Sequence, residues 1–312
     1  MALVNSANLD VANTALVTSV NAIFEKIAPG SFSQWCDVIP ASGTSIEVPV
    51  VDGLPQVREW IGPKQYIDLR AYTLNVDRRK WEATFSLPRT LVDGDKSGVL
   101  TQRISAFAGR AATAYDFVMY DALIDNTLLT YDGQALLANS HPNVNGTTAD
   151  NLTTSALTFA ELRTGIETLE DLTDEGGEPL LMSPSLLVVG PELKRLGHEL
   201  TGSFRPVAMK NDGVLDGTSS IVAATGFDNF DGGQLGLLVS PRIRNSEWLV
   251  MDVSKPGLRP FILGEFRKPE IVALTDMRDL PRFESDEYRW SLEFDASPVP
   301  AAWQCAYGSV TA

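Results

Sequence analysis

The feature that most constrains this chain is a β-rich region between residues 45 and 88. Residues 45–51 alternate apolar and polar positions, and residues 66–75 and 79–87 are two further β-rich stretches. The segment Asn75-Val76-Asp77-Arg78 favours a turn between the last two stretches. Because a two-stranded hairpin is marginally stable by itself in water, we expect this hairpin to lie on other structure, in its own chain or in a neighbouring subunit.

The charge of the chain is divided unevenly between this region and the rest. The formal net charge is −15, but residues 52–110 carry ten Lys and Arg against seven Asp and Glu, a net charge of +3. The rest therefore carries −18, the difference between these two values. A basic segment on an acidic body is suited to docking on a second copy of that body, and a solvated hairpin without a partner is the alternative. The acidic total argues against nucleic-acid binding through a broad basic face.

The first predicted helix spans residues 7–28. Its apolar positions share one helical face, and Pro29-Gly30 ends the pattern. These positions are Leu9, Ala12, Leu16, Ile23 and Ile27. Because this helix lies at the terminus, apart from any visible core partner, it can dock on its own chain or on a neighbour.

Further along the chain, helices and strands are mixed. Residues 98–126 follow the capping side chains Asp95 and Ser97 and predict a helix of about 40 Å. Residues 158–172 predict a helix capped by Thr158. A loop rich in Asn, Gly and Thr is expected at 131–155, and loops rich in Gly and Asp are expected at 202–236. Residues 191–200 predict a short helix. The other predicted strands are residues 186–189, 248–253, 260–263, 271–274, 288–294 and 303–307. This pattern is typical of an α+β fold.

Catalytic signals are weak. The two histidines, His141 and His198, are not in a ligand-spaced cluster, and the two cysteines, Cys36 and Cys305, are interpreted as buried structural thiols. We therefore expect no catalytic residue, no metal site and no cofactor. A hydrolase that uses two of the 40 acidic residues remains an alternative, because paired carboxylates can act as acid and base.

Residues 93–98, with the sequence DGDKSG, begin like a calcium-binding loop. The twelfth position of such a loop supplies a bidentate Glu, but here it is Ile104, on the apolar face of the predicted long helix. A turn followed by a helix cap is therefore favoured over a calcium site. No apolar run approaches the roughly 18 residues that a membrane helix needs, so we expect no membrane association.

A series of short motifs, in this order and spacing, resembles the major head (capsid) subunits of Mu-like tailed phages. The motifs are REWIG at residues 58–62, WEATFSLPR at 81–89, YDGQ at 131–134 followed by His141-Pro142, WLVMD at 248–252, LRPFI at 258–262, RKPE at 267–270 and WQCAYGS at 303–309. Each motif is short, but together they extend over about 250 residues of the chain.

The resemblance implies the HK97-like capsid fold, an α+β architecture in five parts. Residues 1–44 are then an N-terminal arm and residues 45–90 an extended E-loop. Residues 91–155 are a peripheral (P) domain that contains a spine helix at about 98–126. Residues 156–245 form an axial (A) domain, and residues 246–312 end that domain and return as P-domain strands.

The resemblance also implies where subunits touch. The expected E-loop contacts are Arg58, Trp60, Lys64, Arg78, Arg79 and Lys80. The last three are placed near the E-loop tip, facing acidic side chains of a neighbour, because of the charge division. The expected N-arm contacts are Leu16, Ile23 and Ile27. Loops that carry Asp212 and Asp216 are expected at the axes of the rings.

A protein with this resemblance is expected to be a major capsid protein. It would assemble with itself, as pentamers and hexamers, into an icosahedral head enclosing double-stranded DNA that it contacts non-specifically. Assembly is expected in the host bacterial cytoplasm, and the product is part of the virion. Because the first helix begins near residue 7 and leaves no room for a fused scaffolding segment, we expect scaffolding to be a separate protein. A portal and a candidate decoration protein are further expected partners. An encapsulin-type compartment subunit is the alternative.

Overall fold

The computed structural model of the protein describes residues 30–52, 70–88, 113–142, 148–173, 179–202, 234–244, 246–255, 257–274 and 285–310, with residues 90, 106–107 and 109–110. The strands are β1 Cys36–Pro40, β2 Ser45–Asp52, β3 Arg70–Asp77, β4 Lys80–Pro88, β5 His141–Pro142, β6 Thr148–Ala149, β7 Leu186–Val189, β8 Gly236–Val239, β9 Trp248–Met251, β10 Phe261–Leu274, β11 Glu287–Pro300 and β12 Ala306–Ser309. The helices are α1 Ala114–Asp125, α2 Phe159–Glu170 and α3 Lys194–Thr201, and 3-10 turns lie at Ser31–Gln34, Pro191–Leu193 and Trp303–Cys305.

The first sheet has the strand order β1-β10-β11-β4. The two long central strands are antiparallel, β1 runs parallel to the first part of β10, and β4 runs antiparallel to β11. Leu292 and Phe294 of β11 are buried on the face that meets α1, where the Tyr115 ring lies edge-on to Phe294 at 5.6 Å. Trp35, just before β1, extends this core by packing edge-on to Tyr120 of α1 and to Phe261 of β10.

The second sheet has the strand order β12-β9-β7-β8. Every residue of β7, β9 and β12 is buried, as expected for strands covered on both faces. Helix α2 lies against β12 and β9, and helix α3 lies against β7 and β8. Glycines allow both close approaches, because a Cβ at Gly165 would be 2.5 Å from the Tyr307 ring and one at Gly197 would be 2.8 Å from Leu237.

A polar loop ties α1 to the end of the chain. The side chain of Asn126, at the left-handed end of α1 with φ 46°, exchanges hydrogen bonds with the backbone of Leu137 at 2.8 and 3.0 Å. The buried Asn151 amide nitrogen lies within 3.1 Å of the carbonyls of Leu136, Trp303 and Ala306. The loop after α1 is therefore part of the core rather than a solvated connection.

The predicted 98–126 helix is wrong as one continuous rod. Its end is confirmed, because α1 ends at Asp125 and is capped by Asn126. Residues 106–107 and 109–110 are also helical. Between them and α1, Thr113 lies in a turn, and both its backbone N–H and its hydroxyl donate to the Arg110 carbonyl, at 3.1 and 3.2 Å. Such local side-chain bonding competes with the helical hydrogen-bond ladder.

Two strands predicted near the end of the chain are parts of a single long strand. Residues 260–263 and 271–274 belong to the two ends of β10, which is bent by irregular pairing between Glu265 and Glu270. Pro269 lies in this bend, where a residue without a backbone donor is tolerated. Residues 303–307 begin as a 3-10 turn and become a strand only at Ala306.

Several local predictions are confirmed. The strand at 186–189 and the short helix at 191–200 are present, the latter as a 3-10 turn followed by α3. Helix α2 is capped as predicted, because the Thr158 hydroxyl accepts from the Glu161 backbone N–H at 3.1 Å. The predicted helix at 7–28, the 93–98 turn and most of the 202–236 loop lie outside the described residues and stay predictions.

We predict that Gly308→Ala destabilises the subunit. A Cβ at this position of β12 would lie 2.3 Å from the Trp248 carbonyl oxygen and 2.8 Å from the Leu249 Cα, both of which are backbone atoms of β9. Overpacking of this kind costs about 1–3 kcal/mol of unfolding free energy, measurable by chemical denaturation.

The matched control for this prediction is Gly109→Ala, because a Cβ there meets nothing within 4 Å. This helical position is expected to be neutral or to gain up to about 1 kcal/mol. Equal stabilities for the Gly308→Ala variant and the parent would contradict the described contact between β9 and β12.

Candidate functional site: the ribbon root

Strands β2 and β3 form an antiparallel hairpin, which we call the ribbon. Its register runs from Ser45 opposite Asp77 to Asp52 opposite Arg70, and no third strand of the described chain pairs with it. Eight residues of strand are about 25 Å long. The backbone N–H of Arg78 donates to the Thr44 carbonyl at 2.8 Å and closes the end of the ribbon nearest the body. We call that end the ribbon root.

Apolar packing seats the root on the first sheet. Ile262 and Gly264 of β10 point to the face opposite Phe261 and Leu263, because side chains alternate along a strand. A Cβ at Gly264 would lie 3.3 Å from Ile46 of β2, so the absence of a side chain lets Ile46 approach the sheet closely. The apolar cluster on this face consists of Ile46, Val299, Ala41, Leu74, Val76, Ile262 and Phe266.

A buried carboxylate also binds the root, through hydrogen bonds to Arg78. Asp295 of β11 is 1% exposed, and the Arg78 guanidinium donates to it from Nε at 2.6 Å and also from Nη2. Arg267 Nη2 donates to the other Asp295 oxygen at 3.3 Å. Because a buried carboxylate without a partner is costly, the two guanidinium groups supply the hydrogen bonds that Asp295 needs. The same bonds fix Arg78 at this point.

Arg267 sits among three carboxylates. Besides Asp295, it contacts Glu270 at 3.0 Å and Glu293 at 3.2 Å. Burial by itself would lower the pKa of Arg267, but these carboxylates raise it above its ordinary value. The bend of β10 that carries Arg267 is therefore tied electrostatically to β11 and, through Asp295, to the ribbon root.

Backbone hydrogen bonds fix the connection between β3 and β4. The Ser297 hydroxyl donates to the Asp77 carbonyl at 2.7 Å and accepts from the Arg79 N–H at 3.0 Å. The indole of Trp81 donates to the Ala296 carbonyl at 2.8 Å, and the Ala296 N–H donates to the Arg79 carbonyl at 3.1 Å. The chain is held on both sides of the point where it leaves the ribbon.

The expected placement of Arg78, Arg79 and Lys80 near the hairpin tip is wrong. The strands on either side of the predicted 75–78 turn do not pair with each other, since β3 pairs with β2 while β4 pairs with β11. The physical reason is that β4 carries Trp81 and Phe85, which stack on aromatic rings of β11. These three basic residues therefore lie at the root, and Arg78 binds Asp295 of its own chain.

Other predicted contact residues are not brought together by the described structure. Arg79 and Lys80 are exposed, and Lys80 is the register partner of Asp295. The remaining ones lie outside the described residues, so their roles stay predictions. These are Arg58, Trp60, Lys64, Leu16, Ile23, Ile27, Asp212 and Asp216.

His141, which the sequence places in no ligand-spaced cluster, is part of the core. It is 0% exposed, its Nδ1 lies 2.7 Å from Asp132 Oδ2, and its Nε2 lies 3.2 Å from the Leu136 carbonyl. The ring stacks on Trp303 at 4.2 Å. Because both ring nitrogens have partners and the ring is stacked, the imidazole orders the loop after α1.

Both cysteines are buried and free. Burial raises the pKa of the Cys305 thiol to about 12 and also raises that of the Cys36 thiol. A thiol with a raised pKa is a poor nucleophile, in agreement with the structural interpretation of both residues. Among the described residues no group of three or more His, Cys, Asp or Glu is placed to hold a metal ion. None of the described helices is long and apolar enough to cross a membrane.

An extended ribbon on a body of two mixed sheets with helices packed on them is the architecture of the HK97-like capsid fold. The capsid of bacteriophage JBD30, decorated with minor capsid protein trimers, superposes with a TM-score of 0.56 at 19% identity, over 70% of this chain and 92% of that chain. At this identity the likeness concerns the fold.

The sequence of the chain matches a known protein family. A family model described as the Mu-like prophage major head subunit gpT matches residues 13–156 and 234–312, more than half of the chain. The chain therefore belongs to the family of Mu-like prophage major head subunits.

Two curated relatives agree with this family. The Mu-like prophage FluMu major head subunit of Haemophilus influenzae is 25% identical over 124 residues, 38% of this chain and 40% of that protein. The major capsid protein of Escherichia phage Mu is 26% identical over 140 residues, 43% of this chain and 46% of that protein. The chain thus matches less than half the length of each of these relatives.

We predict that Asp295→Asn loosens the ribbon root. The neutral amide leaves two guanidinium groups without their shared buried carboxylate, and hydrogen bonds to charged groups are worth about 1.5–3 kcal/mol when buried. Since both Arg side chains are about one-third exposed, we expect a loss of roughly 1–2 kcal/mol in the unfolding free energy. Chemical denaturation measures it.

Glu293→Gln is the control for this prediction. Glu293 contacts the same Arg267 but is 37% exposed, so its loss is expected to cost less than about 1 kcal/mol. If both variants lost the same amount, the special role of the buried Asp295 would be refuted.

A second prediction concerns acid stability. Burial by itself would raise the pKa of Asp132, but hydrogen bonds from His141, Thr130 and the Gln134 backbone lower it below its ordinary value. A lowered carboxyl pKa stabilises the fold at every pH above the unfolded value of about 3.9. That stabilisation is lost as the pH falls further, through the folded value.

The measurement is the unfolding free energy between about pH 5 and pH 2. The parent is expected to lose stability more steeply below about pH 4 than Asp132→Asn, in which this titration is absent. Asp150→Asn, at an exposed position of the same loop, is expected to follow the parent. A slope in Asp132→Asn equal to the parent's would show that Asp132 does not contribute.

Proposed function

We propose that this chain is the major capsid protein of a Mu-like phage, which assembles with itself into an icosahedral head that encloses double-stranded DNA. The observation that carries the proposal is the ribbon root in a chain of the major head subunit family. The root is fixed to its own body by Asp295 and by an apolar cluster, whereas the strands of the ribbon pair with no other described strand. A ribbon of this kind is marginal alone and gains its support from a neighbour.

The two sheets support the proposed division into domains. The first sheet with α1 corresponds to the P domain, and the second sheet with α2 and α3 corresponds to the A domain. Residues 45–90 are the proposed E-loop and residues 1–44 the proposed N-terminal arm. Part of that arm, β1, pairs with β10 of the first sheet.

Charge supports the proposed contact between subunits. The segment 52–110 carries +3 and the rest of the chain −18, the remainder of the −15 total. A ribbon laid on the next subunit makes a heterologous contact, which closes into rings when repeated. The proposed basic and aromatic contacts to the neighbour are Arg79, Lys80, Arg58, Trp60 and Lys64. Arg78 instead binds Asp295 of its own chain.

Pentamers and hexamers of this subunit, a separate scaffolding protein, a portal and a decoration protein complete the proposed particle. Its DNA is contacted without sequence preference, because the acidic chain offers no broad basic face. Assembly in the host cytoplasm and a place in the virion follow from the same proposal. An encapsulin-type compartment is not favoured, because the matching family is that of Mu-like head subunits.

The direct test is electron microscopy of the purified full chain under assembly conditions, with the scaffolding protein added where the subunit alone does not assemble. Closed shells of uniform size are expected. A protein that stays monomeric with and without its scaffold would contradict the proposal. Packaged DNA in particles from lysed cells distinguishes a phage head from a compartment that holds an enzyme.

We predict that Arg79→Glu combined with Lys80→Glu impairs assembly while the subunit stays folded. Both side chains are exposed at the root, so reversing them adds repulsion against an acidic neighbour in every copy of the shell. Because exposed charge pairs are screened by salt, the defect is expected at low salt and to lessen as salt is raised. Shell yield in sedimentation measures it.

The control for this double variant is Arg163→Glu combined with Arg195→Glu, which makes the same change in net charge. Those side chains lie on α2 and α3 and are 61% and 91% exposed. Assembly equal to the parent's is expected for this pair. Normal shells from the Arg79 and Lys80 variant at both low and high salt would rule out the proposed contact.

A further inference from the structure

A groove runs along the outer side of α1. It has a volume of about 240 Å³ and lies between α1 and residues 241–244. Its floor contains Phe117, which is 46% exposed, and Ile124. Its rim is charged and is formed by Asp121, Asp125, Arg242 and Arg244. An apolar floor with a charged rim is the kind of surface on which an amphipathic helix docks.

Arg242 keeps this floor in place without closing it. Its guanidinium lies over the Phe117 ring at 5.3 Å and Nη2 donates to the Thr113 carbonyl at 3.5 Å. The stem of Arg242 therefore forms one wall of the groove, and Phe117 stays partly exposed beneath it. Phe117, Asp121 and Ile124 follow one another at helical spacings and form a single stripe along α1.

The described chain begins beside this groove. Gly30 lies so close to Asp116 of α1 that a Cβ on Gly30 would be 2.7 Å from the carboxylate. The next residues are bound there too, since the Phe32 N–H donates to Asp116 Oδ1 at 2.9 Å and the Ser31 hydroxyl lies 3.0 Å from the Tyr120 hydroxyl. Tyr120 itself lines the groove, so the stripe that holds the start of the described chain adjoins the groove.

The sequence just before this point has the pattern that fits the groove. Residues 7–28 predict an amphipathic helix whose apolar face includes Leu16, Ile23 and Ile27. Ile27 is three residues before Gly30, and three residues span at most about 10 Å even when fully extended. The apolar face of this segment is therefore tethered within reach of the exposed Phe117 and the partly buried Ile124.

We propose that the groove is the docking site of the chain's own residues 7–28, with Ile23 and Ile27 packed on Phe117 and Ile124. The tether makes this contact intramolecular, so it does not depend on protein concentration. The groove runs from Phe117 to Asp125, which is about 12 Å at the rise of a helix and suits two successive turns of the docked segment. This inference does not rest on the proposed shell, because it concerns the single unassembled subunit.

The test is disulfide trapping in the unassembled full chain. Ile23→Cys with Ile124→Cys is expected to form an intrachain disulfide under mild oxidation, detected by peptide mass spectrometry and by non-reducing electrophoresis. The natural thiols Cys36 and Cys305 are 3% and 1% exposed and do not compete. The matched control is Glu25→Cys with Ile124→Cys, since residue 25 is on the opposite face of the predicted helix, and at least about 10-fold less trapping is expected there.

A mixture of the two single variants, Ile23→Cys and Ile124→Cys, separates the possible occupants. No dimer is expected from this mixture. Interchain dimers without intrachain trapping in the double variant would overturn the proposal and assign the groove to the arm of a neighbouring copy. Equal trapping of the Ile23 and Glu25 pairs, or no trapping of either, would also overturn it.

Discussion

The buried carboxylate of Asp295 is the interaction on which the arrangement of the ribbon depends. It lies on β11, the strand that pairs with both β10 and β4, and it is 1% exposed. A buried charge must be paired and hydrogen-bonded to be tolerated. Arg78 from the ribbon and Arg267 from the bend of β10 supply those partners. One side chain thus joins the central strand, its bent neighbour and the start of the ribbon.

The two faces of the first sheet have different roles: one packs against α1 and the other binds the ribbon root. On one face, aromatic and aliphatic side chains pack against α1, with Tyr115 and Phe294 in edge-on contact. On the other, a small cluster around Ile46 and Val299 seats the ribbon root. Both faces of the first sheet are therefore packed, and the ribbon extends from this sheet. The position of the ribbon root is set by packing within its own chain, before any neighbouring subunit contributes. In the proposed shell, a subunit built in this way can present the same contact to every neighbour.

Polar groups buried around the loop after α1 have an ordering role. Asn151 and His141 bind backbone atoms of the loop after α1 and, through Trp303 and Ala306, the end of the chain. The side chain of Asp132 satisfies His141 and the turn at Gln134 at the same time. Such networks specify one packing arrangement when every member is bonded. They explain how a region rich in loop-forming residues belongs to the core.

The sequence by itself determined the local elements, the division of charge and the resemblance to Mu-like head subunits. Periodicity and capping depend on neighbours three or four residues away, so α2 with its Thr158 cap, the strand at 186–189 and the end of α1 were predictable. The tertiary structure alone decided that β3 pairs with β2 while β4 pairs with β11, and that Arg78 lies at the root. Those outcomes depend on residues more than 200 positions apart, such as Arg78 with Asp295 and Trp81 with Ala296. Strand partners are chosen by the burial of whole faces and by the pairing of buried charges, and no local pattern in the chain carries that information.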